Sequence, residues 1–258
     1  MAPESFWIVV AAVLGGVLGS FLNVCILRLP ANQSVLRPRS RCPKCESPIS
    51  WYDNVPVLSW LVLRGRCRKC RERISIQYPL IEAAVAAIWA LTVWHYGFGW
   101  TALAGAVFGT LLLGIAATDA RTYIIPDEFT LGGLVLGLPL ALRDGLPGLW
   151  WALIGAATGF ALLLAVAWIG EKVFRREAMG GGDIKMMAMV GAFVGWEGVV
   201  LTIFGGALLG TLIFVPLTII GKKRLVPFGV FLAAAAAVAF VAGEEIVRWY
   251  LALALGPR

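Results

Sequence analysis

The chain has 258 residues, 60% of them hydrophobic, with a mean hydropathy of +0.84. Soluble domains are about 45–50% apolar, so this composition excludes a soluble globular protein, and runs of about 20 apolar residues predict an all-α polytopic membrane protein. The formal charge of +7 suggests an anionic partner, but the placement of the charges argues against nucleic acid and for a lipid bilayer.

Apolar runs predict about eight transmembrane helices, near 6–27, 78–96, 100–118, 124–142, 148–170, 184–196, 198–220 and 229–251. With the polar loop 28–77 on one side, nineteen of the 22 Lys and Arg residues share that side, among them Arg121, Lys172, Arg175, Arg176, Lys185, Lys222, Lys223 and Arg224. Arg143, Arg248 and Arg258 fall on the other. The positive-inside rule makes the rich side cytoplasmic. Trp7, Trp94, Trp100, Trp150, Trp151, Trp196 and Trp249 lie near span ends and suit interfacial belts. The expected organisation is a first transmembrane helix (1–27), a cytoplasmic tetra-cysteine loop (28–77) and a membrane domain (78–258).

The first span is preceded by Glu4 and followed by basic residues, the pattern of a retained anchor rather than a cleaved signal. Within it, Cys25 reads as a packing residue and Asn23 as an interhelical hydrogen-bond group.

The loop that follows carries Cys42 and Cys45 in one CxxC and Cys67 and Cys70 in another, with 21 residues between the pairs. Two such knuckles suit a closed, structural zinc site. The neighbouring Arg41, Lys44, Arg66, Arg68 and Lys69 would favour thiolates. A loop of this size with few apolar residues needs a metal to fold.

Glu82, near the start of the next span, reads as a helix-start carboxylate. The only histidine, His95, falls on the outer side. This removes the Ser-His-Asp triad, the Cys-His dyad and HExxH zinc hydrolysis together, and leaves carboxylates as the acid and base for any hydrolysis. Asp119 ends one apolar run, in TDARTYIIPDEFT, and Asp183 begins another, in GGGDIKM. Both are expected at one membrane face, where two facing carboxylates hold a shared proton. One can then activate water while the other polarises a carbonyl. Taken alone, Asp183 could cap a helix and Asp119 could pair with Arg121. Asp127 and Glu128, after Pro126, read as helix-start carboxylates, with Asp127 also able to support the site.

From Asp183 to Trp196 the chain offers only about 18 Å of helix, against a hydrocarbon core of roughly 30 Å. The short reach brings the aspartates to a membrane-embedded substrate. Gly180, Gly181 and Gly182 would let an extended substrate backbone approach.

With these residues assembled, the sequence resembles the bacterial type IV prepilin peptidases, the bifunctional leader peptidase/N-methyltransferases among the GxGD aspartyl proteases. The resemblance rests on GSFLNVCILRLP at 19–30, the two CxxC pairs, VPVLSWLVLRGRCRKC, YPLIE at 78–82, TDARTYIIPDEFT at 118–130 and GGGDIKM at 180–186. It implies Asp119 and Asp183 as the catalytic pair, with Gly180, Gly181, Gly182, Asp127 and Lys185 around them, and Cys42, Cys45, Cys67 and Cys70 as zinc ligands. It implies type IV prepilin or type II secretion pseudopilin substrates, cut at the cytoplasmic face of the bacterial inner membrane. The new N-terminus would then be methylated from S-adenosylmethionine, for which Gly65 and Glu82 are candidate binding residues. The alternative is a carboxylate-lined membrane transporter or proton pathway with a regulatory zinc loop.

Overall fold

The computed structural model describes residues 4–176, 179–219 and 226–255; Lys222, Lys223, Arg224 and Arg258 of the charge pattern lie outside them. The described helices are α1 (Glu4–Arg28), α2 (Leu58–Val62), α3 (Gln77–Tyr96), α4 (Trp100–Thr122), α5 (Asp127–Ala141), α6 (Gly145–Phe174), α7 (Gly181–Ile219) and α8 (Phe228–Leu255).

Six stretches are long and apolar enough to cross a membrane: Glu4–Ala31, Gln77–Tyr96, Trp100–Thr122, Asp127–Phe174, Gly181–Pro216 and Phe228–Ala254. The expected eight spans are thus not matched one for one. The difference lies in two long stretches that are each interrupted. Asp127–Phe174 is broken by the 3-10 turn Leu142–Asp144 between α5 and α6. Within α7, Gly195 leaves the helical region (φ 67°, ψ −177°) and splits the helix. Both breaks fall at the boundaries read from the sequence, so the short segment 184–196 continues beyond a kink into the next helix.

The chain forms two compact units, 1–110 and 111–258, divided within α4. In the first, α1 packs along α3. Lipid offers no hydrophobic drive for helices to associate, so small residues that let backbones approach carry the contact. Gly15 and Gly19 supply it on α1: an added Cβ would lie 2.8 Å from the Val85 carbonyl oxygen at Gly15 and 2.8 Å from the Glu82 Cα at Gly19. One turn on, Asn23 Nδ2 donates to the Tyr78 carbonyl at 3.1 Å, the interhelical bond expected of it. Cys25 is buried nearby, while Val9, Val13 and Val17 are exposed on the lipid side. The Trp89 indole N–H donates to Thr110 Oγ1 at 3.0 Å and ties α3 to α4 within this unit.

In the second unit α7 is central and packs against α5, α6 and α8. Its Met186, Met187, Met189 and Val190 are fully buried. Gly155 of α6 and Gly191 of α7 each lie against the other's backbone carbonyl, and Gly159 lies on the Met187 carbonyl. Gly133 and Gly137 of α5 receive the Met189 and Phe193 side chains. Trp94, Trp100, Trp150, Trp196 and Trp249 are exposed, as belt residues should be. Trp7 instead stacks on Phe98 with centroids 4.1 Å apart, and the Trp151 ring fills the space a side chain at Gly195 would need.

Gly191→Leu should force α6 and α7 apart and cost about 1–3 kcal/mol or more, as overpacking does. The expected result is a clearly lowered unfolding midpoint in detergent. Gly132→Leu, at a position with nothing within 4 Å of an added Cβ, should leave the midpoint unchanged; equal effects would contradict the packing described.

Candidate active site and metal centre

Asp119 sits in the last turn of α4. That turn is tightened by its own hydroxyls: Thr118 Oγ1 donates to the carbonyls of Gly114 at 3.1 Å and Ile115 at 3.0 Å, and Thr122 Oγ1 donates to the Thr118 carbonyl at 2.8 Å. The helix stops because Tyr123 turns left-handed (φ 56°), which lets its N–H donate to the Asp119 carbonyl at 2.9 Å. Ile124 and Ile125 lead to Pro126, whose fixed φ caps α5. Asp119 is only 5% exposed. Its Oδ2 is buried with no hydrogen-bond partner among the described residues.

Asp183 lies in the first turn of α7, where its N–H donates to the Gly180 carbonyl at 3.2 Å. The helix already begins at Gly181, so Asp183 is inside it rather than its N-cap. Its Oδ1 is likewise buried without a partner among the described residues.

The three glycines before it differ in purpose. Gly181 faces open space, while a Cβ at Gly182 would lie 2.9 Å from Ile125 Cβ. Gly182 is therefore required for packing, which the sequence reading had not assigned to these glycines. Gly229, in the first turn of α8, meets Ile125 from elsewhere: its added Cβ would lie 2.8 Å from Ile125 Cδ1 and 2.9 Å from Asp119 Oδ2. Ile125 thus links the backbone beside Asp183 to the glycine that covers Asp119. The two carboxyl groups are near enough for the Asp119 charge to act on Asp183. Gly229 escaped the sequence reading because nothing in PFG marks a glycine that will meet a carboxylate in the fold.

Asp127 and Lys185, expected beside the site, form an ion pair: Lys185 Nζ donates to Oδ1 at 2.8 Å and Oδ2 at 2.7 Å. The pair joins the first turns of α5 and α7. It is substantially exposed, with 53% and 39% of the two side chains accessible.

The four cysteines converge, their Sγ atoms all within 4.8 Å of one another. Cys42 and Cys70 sulfurs are 3.7 Å apart, against about 3.8 Å for two thiolates on one tetrahedral zinc with Zn–S near 2.3 Å. The donor set therefore fits a zinc ion.

The two knuckles are built alike. The Cys42 N–H donates to the Ser47 carbonyl and the Glu46 N–H to Cys42; the Cys67 N–H donates to Glu72 and the Arg71 N–H to Cys67. Glu46 (φ 54°) and Arg71 (φ 61°) make the same left-handed step, and each knuckle closes with one antiparallel bridge, Arg41 to Pro48 and Arg66 to Arg73. The repeat is visible as SRCPKCESPI and GRCRKCRERI, a local repeat that the sequence reading missed.

The Ser47 hydroxyl and backbone hold the Cys45 thiol down at about 6, and the backbone amides of Cys70 and Lys69 lower Cys67. At Cys70 the Glu72 amide pulls downward, but desolvation and the Cys45, Cys67 and Cys42 sulfurs outweigh it and push the thiol up to about 12. Four thiolates cannot share one point without a cation. The expected basic neighbours are partly committed elsewhere: Lys44 pairs with Glu72 at 3.4 Å, and Arg68 with Asp53 at 2.6 Å.

Glu82 is not a first-turn carboxylate. It is buried in the second turn of α3, and its Oε2 accepts the Val57 N–H at 2.7 Å. That bond holds a left-handed Val57 (φ 61°), a rare conformation for a β-branched residue. Gly65 (φ 64°) has a local reason to be glycine, because an added Cβ would lie 2.8 Å from the Trp60 ring.

Comparison with known proteins covers both regions. The bacterial peptidase A24 N-terminal domain matches residues 13–96, which contain the cysteines and Glu82. The type IV leader peptidase family matches residues 106–215, which contain Asp119 and Asp183. Among relatives named prepilin leader peptidase/N-methyltransferase, one from Neisseria gonorrhoeae is 33% identical over 273 residues, covering 95% of each chain. One from Stutzerimonas stutzeri is 35% identical over 278 residues, 98% of this chain and 96% of the relative. One from Myxococcus xanthus is 42% identical over 202 residues, 78% of this chain but 58% of the relative. No solved structure matches. Since the matches run almost end to end and take in both the aspartate turns and the cysteine knuckles, the chain belongs to the prepilin leader peptidase/N-methyltransferase family.

Proposed function

We propose that this multi-pass membrane protein is an aspartyl endopeptidase that removes the leader of type IV prepilins or type II secretion pseudopilins and then N-methylates the new N-terminus. The observation that carries the peptidase half is the pair of carboxylates Asp119, which is buried, and Asp183, which is half-buried. Each has a buried oxygen without a hydrogen-bond partner among the described residues, and Gly182, next to Asp183, and Gly229, against Asp119, both lie on Ile125.

Groups buried in an apolar bundle are normally compensated, so open carboxylate oxygens favour a reactive role. In this reading one aspartate, ionised, takes a proton from water as the water oxygen attacks the scissile carbonyl carbon. The other, protonated, donates its hydrogen to the carbonyl oxygen. Collapse of the tetrahedral species breaks the C–N bond, and the leaving amine takes up a proton. Gly181, facing open space, leaves room for an extended peptide. The transporter alternative gains nothing from the family relationship.

The peptidase region is assigned to residues from 78 onward, and the 28–77 loop to the methyltransferase-associated part. Cys42, Cys45, Cys67 and Cys70 would hold a structural zinc ion, which supplies a crosslink rather than chemistry because four thiolates close its shell. S-adenosylmethionine, when bound, supplies the methyl group. The new α-amine would need only to be unprotonated to accept it, which its ordinary pKa near 8 allows without a dedicated base. The distribution of Lys and Arg along the sequence supports a cytoplasmic location for the loop and both aspartates, in the bacterial inner membrane.

Reconstituted enzyme given a prepilin and S-adenosylmethionine should yield a product that lacks its leader and carries one added methyl by intact mass. Asp119→Asn and Asp183→Asn should each slow cleavage by about 10²–10⁴-fold or more. Asp127→Asn, which removes only an exposed ion-pair partner, should cost at most about fivefold. Near-native cleavage by either of the first two would end the dyad assignment.

Purified protein should contain stoichiometric zinc by elemental analysis. Chelation, or Cys42→Ser with Cys67→Ser, should open the 28–77 loop to limited proteolysis. A loop equally resistant with and without metal would remove zinc from the account of its folding.

A further inference from the structure

The stretch WYDNVPVLSWLVLRGR, residues 51–66, carries no charge from Val55 to Leu63. Trp51 and Tyr52 precede the uncharged part, and Arg64 and Arg66 follow it. Aromatic and basic flanks of this kind mark a membrane surface, yet the stretch is far too short to cross a hydrocarbon core of roughly 30 Å.

Its contacts place it at depth. A Cβ added at Gly16 would lie 3.4 Å from Pro56 Cβ and 4.0 Å from Ala86 Cβ. Gly16 is the central residue of the 25-residue α1. Ala86 lies about 13 Å inside α3 from Gln77 at helical rise. Both helices are among those long and apolar enough to cross a membrane. Pro56 is therefore level with the middle of two spans, although it belongs to the loop that joins them.

The backbone suits such a place. Pro56 has no N–H to satisfy. Val57, left-handed at φ 61°, gives its N–H to the buried Glu82 at 2.7 Å. The Ser59 N–H and hydroxyl both donate to the Val55 carbonyl, at 3.1 Å and 2.6 Å, and the Leu61 N–H donates to the Val57 carbonyl at 3.1 Å. Irregular backbone is tolerated at membrane depth only where it is enclosed by protein or lines a cavity, and Glu82 provides the acceptor that the Val57 turn requires. The side chains divide by face. Trp60 turns inward, its indole N–H donating to the Ile74 carbonyl at 3.1 Å and its ring lying on Gly65. Leu58, Leu61 and Val62 share one face of α2 by their i, i+3, i+4 spacing and are 61%, 57% and 77% exposed.

We propose that residues 55–63 form a re-entrant membrane segment. It enters the bilayer from the side of the loop, beside α1 and α3, presents Leu58, Leu61 and Val62 to lipid acyl chains, and returns to the same surface at Arg64. Acyl chains are the occupant because the segment reaches the depth of Val13 and Val17, the exposed residues of α1 that flank Gly16. The second cysteine knuckle follows at once, closed at its base by the Ile74 N–H donating to the Gly65 carbonyl at 2.7 Å, so the inserted segment moors that knuckle at the membrane surface. The inference rests on the membrane placement of α1 and α3 and on neither proposed reaction.

The test is photolabelling of the full-length wild-type chain in nanodiscs of phosphatidylcholine that carries a diazirine midway along one acyl chain, with adducts mapped by mass spectrometry. Adducts should appear on residues 55–63 as they do on the Val9–Val17 part of α1, and be absent from the knuckle around Lys44. A water-soluble diazirine used in parallel should label the exposed Lys44 and Glu72 and spare Leu58, Leu61 and Val62. Leu61→Asp should lower the unfolding midpoint in nanodiscs by about 5 °C or more, as a carboxylate brought into hydrocarbon does, while Leu61→Met should leave it unchanged. Water-phase labelling of Leu58, Leu61 and Val62 as strong as that of Lys44 would overturn the proposal. So would a face that neither reagent reaches, which would mean that protein covers it, from this chain or a second copy.

Discussion

Helices in a bilayer gain nothing from hiding apolar faces from one another, because lipid is as apolar as leucine. What remains is close contact, and glycine gives the closest. This constraint organises each unit. Gly15 and Gly19 let α1 reach the backbone of α3, and Gly155 and Gly159 let α6 reach α7. The same rule continues into the candidate site, where Gly182 and Gly229 converge on Ile125. The aspartates are therefore positioned by backbone contacts on either side of one isoleucine. The backbone amides of Val230 and Gly229 also reach the Asp119 carboxylate, yet Asp119 Oδ2 and Asp183 Oδ1 are left without partners among the described residues. Had the bundle been held by polar networks, those oxygens would have been consumed.

An open carboxylate oxygen also separates these aspartates from Asp127, in the first turn of α5. Asp127 spends both oxygens on Lys185, and the pair is exposed enough that water competes for it. It serves to keep the starts of α5 and α7 in register. The sequence suggested a supporting place for both residues, but their pairing spans 58 positions and only the fold could make it visible.

Much of the membrane architecture was legible because span length and apolarity are local properties. The breaks near 142–148 and at Gly195 were also legible, since polar residues and glycine interrupt those runs. Whether an interrupted run counts as one crossing or two is not local, and there the count of eight and the six continuous stretches part. The cysteine site was legible because CxxC spacing is itself the ligand geometry. The repeated knuckle was equally present in SRCPKCESPI and GRCRKCRERI but was obscured by its flanking charges. Gly229 was not legible at all. Its meaning is a contact with Asp119, and nothing in its neighbours announces that contact. Glu82 was misread for the same reason: its partner, the Val57 amide, lies 25 residues earlier.

The two proposed reactions ask different things of a protein, and the two regions differ accordingly. Peptide hydrolysis needs an acid and a base at the reacting atoms, hence paired carboxylates in a dry setting. Methyl transfer to an α-amino group needs neither, since that amine has an unperturbed pKa near 8 and is partly neutral without help. In the first unit the only buried charged residue among those described is Glu82, and it lines a cavity with Trp60 and the cysteine knuckles. A zinc ion in the neighbouring knuckles would then bear on that cavity through shape alone. Cys42 and Cys67 belong to the same lining as Trp60 and Glu82, so folding the knuckles is what gives the cavity its outer wall.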